Sequence, residues 1–241
     1  MRLVSLTLLL LLGCSYKVKI VAPTVTEPRV AHEAKASKQM VTTQGEASTR
    51  AALRMFEEGG NIIDAFVAAS FTISVERPQS TGIGGGGFLL FFSKQDNKVY
   101  AFDFREVAPL AGHSKMFLTA NGDVQPMLSQ IGPLAVATPG LVKGLHDLHR
   151  RWGKLPWAQT IAPAIKLARN GLPLYDHLHV ALKDRQQVLL HDPEAKATFF
   201  TKDGKVPLLG TIIKQENLAK TLERIADKGS DGFYKGAVAR S

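Results

Sequence analysis

The side chain best suited to hold a substrate is Arg105, in the stretch Asp103-Phe104-Arg105-Glu106-Val107-Ala108-Pro109. A guanidinium is a planar fork of donors that meets a carboxylate through two parallel hydrogen bonds. Its two acidic neighbours open another use, in which Asp103 or Glu106 pairs with Arg105 and the cluster is purely structural. A second suggestive stretch lies upstream, where Gly82 and Gly84 to Gly87 fill five of six consecutive positions. Bare backbone of this kind serves either close packing and turning or a nest of amides around an anion. It is not a phosphate loop, because the Lys-Ser/Thr pair is missing and a strand pattern follows where a helix would be needed. His146 and His149 stand three apart, a spacing that metals use, and His177 and His179 form a second pair. Without a cysteine or an acidic pattern beside them, all four are expected to be surface histidines.

These groups need elements to hold them. Apolar residues at Ala47, Ala51, Ala52, Met55 and Phe56 predict a helix over 44–58, stopped by Gly59-Gly60. Asn61 is the expected cap of a second helix with Asp64 in its first turn. In that helix small residues (Ala65, Ala68, Ala69) alternate with large ones, a pattern suited to close packing against a sheet. Phe88-Leu-Leu-Phe-Phe92 has the length and composition of a buried strand, and 99–104 is its hairpin partner across the turn Gln95-Asp96-Asn97-Lys98. Arg105 therefore sits where the return strand ends, a usual place for a ligand-reading side chain. Further helices are predicted over 140–151, 156–170 with a bend at Pro163, 175–190 and 214–228, and 236–241 opens one more.

The chain has 241 residues and a formal charge of +9, spread along its length and not gathered into a block. That distribution, with no recognition motif, argues against a nucleic-acid partner. Residues 1–14 read as an export signal: Arg2 supplies the positive start and Leu3 to Leu12 an apolar run too short to span a bilayer. The run ends in Leu11-Leu12-Gly13-Cys14, which resembles a bacterial lipobox, so Cys14 is the expected lipidation site. The product is then anchored on the periplasmic side of a bacterial membrane; a plain secretory signal would leave it soluble in the periplasm. Cys14 is the single cysteine, so no disulfide forms within the chain. Residues 15–38, with Pro23 and Pro28, read as a tether, and 39–241 as the folded part.

Taken in order, Gly59-Gly60-Asn61-Ile62-Ile63-Asp64-Ala65, Ser80-Thr81-Gly82-Ile83-Gly84-Gly85-Gly86-Gly87-Phe88 and the Arg105 stretch resemble signatures of the gamma-glutamyltransferase (gamma-glutamyltranspeptidase) family. Ala135-Val136-Ala137-Thr138-Pro139-Gly140, Trp152-Gly153-Lys154-Leu155-Pro156-Trp157, the stretch from Ala162 to Gly171 and Gly232-Phe233-Tyr234-Lys235-Gly236 continue the resemblance.

The resemblance implies an α/β (α+β) fold, the four-layer αββα sandwich of N-terminal-nucleophile hydrolases, incomplete here because the C-terminal half is absent. It implies a threonine nucleophile, freed by self-cleavage, that takes the gamma-glutamyl group from glutathione or a related substrate and passes it to water, an amino acid or a peptide. That threonine belongs to the family's small-subunit half, so this chain alone is expected to be inactive and to need that half as its partner. Thr42-Thr43 precedes the first helix and is not expected to replace it. Arg105 matches the family arginine that pairs with the substrate's alpha-carboxylate, with Asp103 and Glu106 orienting it. The glycine run then becomes packing, and no cofactor or metal is expected. A different reading is a non-catalytic exported lipoprotein remnant that binds a glutamyl peptide or a protein partner.

Overall fold

The computed structural model describes residues 34–240. The expected leader, Cys14 and most of the expected tether lie outside them, and the fold below belongs to the unit Ser37–Ser241. Its elements run α1 (Glu46–Glu57), α2 (Ile62–Glu76), β1 (Phe88–Ser93), β2 (Lys98–Asp103), α3 (Leu141–Trp152), α4 (Trp157–Asn170) and β3 (Leu172–Pro173). They continue with α5 (Asp176–Leu189), α6 (Pro193–Phe199), β4 (Ile212–Ile213), α7 (Glu216–Lys228), α8 (Asp231–Tyr234) and α9 (Gly236–Arg240). Helix α4 carries Pro163 inside its span, and the sequence patterns did not anticipate α6 or the short β3–β4 pair.

Helix α2 is the centre. The Asn61 side chain accepts from Ile63 and Asp64 N–H while the Asp64 carboxylate accepts from Asn61 N–H, a complete capping box. Asp64 is fully buried and also accepts the backbone N–H groups of Lys154 (3.0 Å) and Leu155 (3.2 Å), tying the start of α2 to the α3–α4 connection. The small side of α2, Ala65 and Ala68, packs against Ala51, Ala52 and Met55 of α1. Its large side, Ile63, Val67, Phe71 and Val75, enters the main core with α3, α4 and α7. The close approach permitted by the alanines is thus to a helix, and not to the sheet that the pattern suggested.

Strands β1 and β2 form the antiparallel hairpin expected from the sequence, with Phe88 opposite Asp103 and Leu90 opposite Ala101. One face is inward: Phe91, Tyr100 and Phe102 surround Trp152 at ring separations of 6.0, 5.3 and 5.2 Å. The other face is open, with Phe88 63%, Leu90 77%, Phe92 56% and Val99 67% exposed. The apolar block at 88–92 has the composition of a buried strand, yet it is buried on one side only. Alternation along a pleat sends every second residue to the opposite side, so only Leu89 and Phe91 reach this chain's core. A contiguous exposed apolar face of this kind marks an interaction surface.

Candidate functional site

Arg105 is carried just beyond the end of β2, and bare backbone fixes the peptide around it. Gly87 and Phe104 exchange both backbone hydrogen bonds (3.3 and 3.0 Å), extending the hairpin by one pair. A Cβ on Gly86 would lie 2.5 Å from the Phe104 carbonyl oxygen and 2.7 Å from Arg105 Cα. From the other side, a Cβ on Gly140 would lie 2.1 Å from the Phe104 oxygen and 2.5 Å from that of Arg105. Gly144 leaves room for the Phe104 ring in the same way. Phe104–Arg105 is therefore gripped between two glycine surfaces too close for any side chain. Beyond them Val107 and Thr138 exchange backbone hydrogen bonds (3.1 and 2.9 Å), and the Tyr234 hydroxyl donates to the Pro139 carbonyl at 2.8 Å, holding that strap in place.

The glycine run divides by role. Gly86 and Gly87 are packed, whereas a Cβ on Gly82 or Gly84 would meet nothing within 4 Å. The Gly85 carbonyl accepts from Gly140 and Leu141 N–H (3.0 and 2.9 Å), so these amides at the start of α3 hold the glycine loop. The Glu106 carboxylate lies beside the run, its Oε1 3.4 Å from where a Cβ on Gly85 would stand. Its own N–H, then Arg105 and the Gly86 N–H, hold the Glu106 carboxyl below its ordinary range against partial desolvation. Of the two uses open to the run, close packing is the one these contacts show.

Asp103 accepts the Arg105 backbone N–H at 3.0 Å and so turns the chain at the end of β2. Glu106 Oε2 lies 3.5 Å from Arg105 Nε, a long contact in which the Arg105 side chain is 63% exposed. Such a pair contributes little stability by itself. Arg105 Cζ stands 5.9 Å from the centre of the Phe88 ring, and among the described residues its Nη1 and Nη2 make no hydrogen bond. The fork thus points outward at the end of the open hairpin face. A cavity of about 320 Å³ between Pro78, Gln79, α5 and Phe199 does not include Arg105.

Other candidates go elsewhere. Thr43 Oγ1 donates to the Gly45 carbonyl at 2.7 Å and contacts the Ser48 and Thr49 hydroxyls at 2.8 and 2.7 Å, all at the start of α1. Of the four expected surface histidines one is buried and two are half-buried. His149 is buried, with Nε2 3.3 Å from Asp64 Oδ1, and His146 and His149 flank the Trp157 ring at 4.9 and 5.2 Å. His177 is exposed and His179 half-buried. No group of three or more metal-ligating side chains is gathered among the described residues.

The sequence profile of the family described as Gamma-glutamyltranspeptidase matches residues 48–241. The chain belongs to that family. It is 40% identical over 199 residues to the glutathione hydrolase proenzyme of Pseudomonas aeruginosa, covering 83% of this chain and 34% of that protein. It is 38% identical over 213 residues to the glutathione hydrolase proenzyme of Escherichia coli K12, covering 88% of this chain and 37% of the relative. The solved Helicobacter pylori gamma-glutamyltranspeptidase superposes with a TM-score of 0.83 at 36% identity, over 86% of this chain and 59% of that one. The fold is accordingly the α/β fold of the N-terminal-nucleophile hydrolases in part, and the chain spans about a third of the length of these curated relatives.

In this light Gly140, Gly144, Thr138 and Tyr234 are the positions that residue-by-residue reading missed. Thr138, Gly140 and Tyr234 lie inside the family-like blocks, but nothing in the sequence says which strand a glycine admits or which carbonyl a phenol reaches.

Proposed function

We propose that this chain is the N-terminal part of a gamma-glutamyltransferase/glutathione hydrolase. In this reading the enzyme transfers the gamma-glutamyl group of glutathione to water, amino acids or peptides. The observation that carries it is the outward Arg105 fork at the end of an uncovered apolar sheet face. An element that docks on Leu90, Phe92 and Val99 is brought beside that cation. Covering the face would strip water from the guanidinium and strengthen its pairing with a carboxylate.

Within this chain the chemistry is recognition. Arg105 binds the alpha-carboxylate of the gamma-glutamyl group through two parallel hydrogen bonds, and Asp103 and Glu106 hold the peptide and the Nε edge so that Nη1 and Nη2 face the ligand. The nucleophile is a threonine outside this chain, contributed by the small-subunit half. Attack on the gamma-carbonyl releases the amine and leaves a glutamyl ester, which water or an acceptor amine then cleaves. Fixing the alpha-carboxylate sets where the gamma-carbonyl lies. Export and a lipid anchor at Cys14 belong to the same proposal, with Cys14→Ser expected to move the protein from the membrane to the soluble fraction; unchanged partitioning would refute lipidation.

The test is to assay glutamate release from glutathione by the chain alone and by the chain expressed with a family small-subunit half. Release only in the combination is expected. Release by the purified chain alone would place the nucleophile in these residues. Binding of glutathione with no turnover in either form would favour the remnant reading.

A further inference from the structure

We propose that Phe88 is a positioning residue for substrate binding: its ring is the shelf that fixes the plane of the Arg105 guanidinium. The inference rests on the carboxylate reading of Arg105 and deepens it. Phe88 is the first residue of β1 and pairs in register with Asp103, the last residue of β2. Cross-strand partners project to one side, so the Phe88 ring shares a face of the hairpin with Asp103. Arg105 Cζ lies 5.9 Å from the ring centre, within the range at which a cation is attracted to an aromatic face.

The other contacts of the fork explain why a shelf matters. The peptide at Phe104–Arg105 is gripped by Gly86 and Gly140, which fixes where the side chain starts but not where its long stem ends. Glu106 meets Nε at 3.5 Å, and one long contact leaves the plane free to turn about it. The ring supplies the second constraint. With Nε toward Glu106 and one side of the plane over Phe88, the remaining in-plane direction is the Nη1–Nη2 edge, the edge that receives a carboxylate end-on. Bidentate recognition depends on that plane, because a rotated fork offers one hydrogen bond in place of two.

A simpler role would make Phe88 only the first apolar residue of the open face. Leucine separates the two, since it preserves apolar cover but has no π face; tyrosine keeps the face. Phe88 is 63% exposed, so either variant should fold, which far-UV circular dichroism and the unfolding midpoint will verify.

The experiment is NMR of the full chain, following the Arg105 Nε–Hε resonance, with L-glutamate as the probe. Without ligand, wild-type Hε should show an aromatic ring-current displacement that Phe88→Leu abolishes and Phe88→Tyr retains. On titration, Phe88→Leu should weaken Arg105-dependent glutamate binding by about two- to fivefold, the scale of an exposed cation–ring contact, and Phe88→Tyr should restore it. An undisplaced wild-type Hε, or equal affinities for wild type and Phe88→Leu, would overturn the shelf. Glutamate binding that survives Arg105→Ala would overturn the carboxylate reading instead. The ring-current measurement uses no ligand, so the two failures are distinguishable.

Discussion

Adding one methyl group to Gly86 should damage this protein far more than adding it two residues earlier. At Gly86 the new carbon would stand 2.5 Å from a backbone oxygen and 2.7 Å from Arg105 Cα, atoms that cannot swing aside like the end of a side chain. The hairpin end must open to admit it. Overpacking against rigid surroundings costs about 1–3 kcal/mol. Loss of the two Gly87–Phe104 backbone hydrogen bonds adds about 0.5–1.5 kcal/mol each. Gly86→Ala should therefore lose about 2–6 kcal/mol, equivalent to roughly 4–24 °C in Tm for a domain of this size. At Gly84 the same carbon would meet nothing within 4 Å and the backbone is not in the left-handed region, so Gly84→Ala should stay within about 0.5 kcal/mol of wild type. Thermal and urea unfolding of the two variants measures the difference. A Gly86→Ala protein as stable as Gly84→Ala would refute the cradle around Arg105.

Asp64 is the next most consequential position for stability. Asp64→Ala would leave the part-buried N–H groups of Lys154 and Leu155 without their acceptor and break the α2 capping box, and should cost about 3 kcal/mol in urea unfolding; a loss below 1 kcal/mol would show that the α3–α4 connection holds itself. His146 adds an acid-side pH dependence. Burial, the largest influence, lowers its pKa from the ordinary 6.5, so above that value the ring is neutral in both states and its contribution is complete. As pH falls, the unfolded chain takes the proton first, and stability is lost until pH drops below the lowered folded value. His146→Gln should make the urea midpoint fall less between pH 7 and pH 5 than in wild type; an unchanged slope would contradict this.

The parts of the fold legible in the sequence are those governed by local chemistry. Asn61 with Asp64 announces a helix start, Gly59-Gly60 and Gly171 announce ends, and Gln95 to Lys98 announces a turn, because each depends on atoms a few residues apart. What could not be read depends on partners distant in the chain. Phe88 to Phe92 has the composition of a strand buried on both sides, yet composition does not say whether the covering atoms are in the same chain. His149 reads as a surface residue until α3 is set against Asp64. The glycine run could be recognised as a close approach, but only Gly140, some fifty residues away, shows that the approach comes from both sides of Arg105. Arg105 stands out by its type and its place at a strand end, and the role proposed for it comes from the family resemblance.

The central claim is that Arg105 holds the alpha-carboxylate of the gamma-glutamyl group, and kinetics of the chain joined to its small-subunit half test it most directly. Glutathione and an analogue lacking that carboxylate should be compared on wild type and Arg105→Ala. Losing a charge-assisted pairing of about 1.5–3 kcal/mol corresponds to roughly a 10- to 150-fold rise in KM for glutathione. The analogue should bind wild type about that much more weakly and be indifferent to Arg105→Ala, with the unfolding midpoint unchanged. An Arg105→Ala enzyme that still prefers glutathione over the analogue by the wild-type margin would contradict the account.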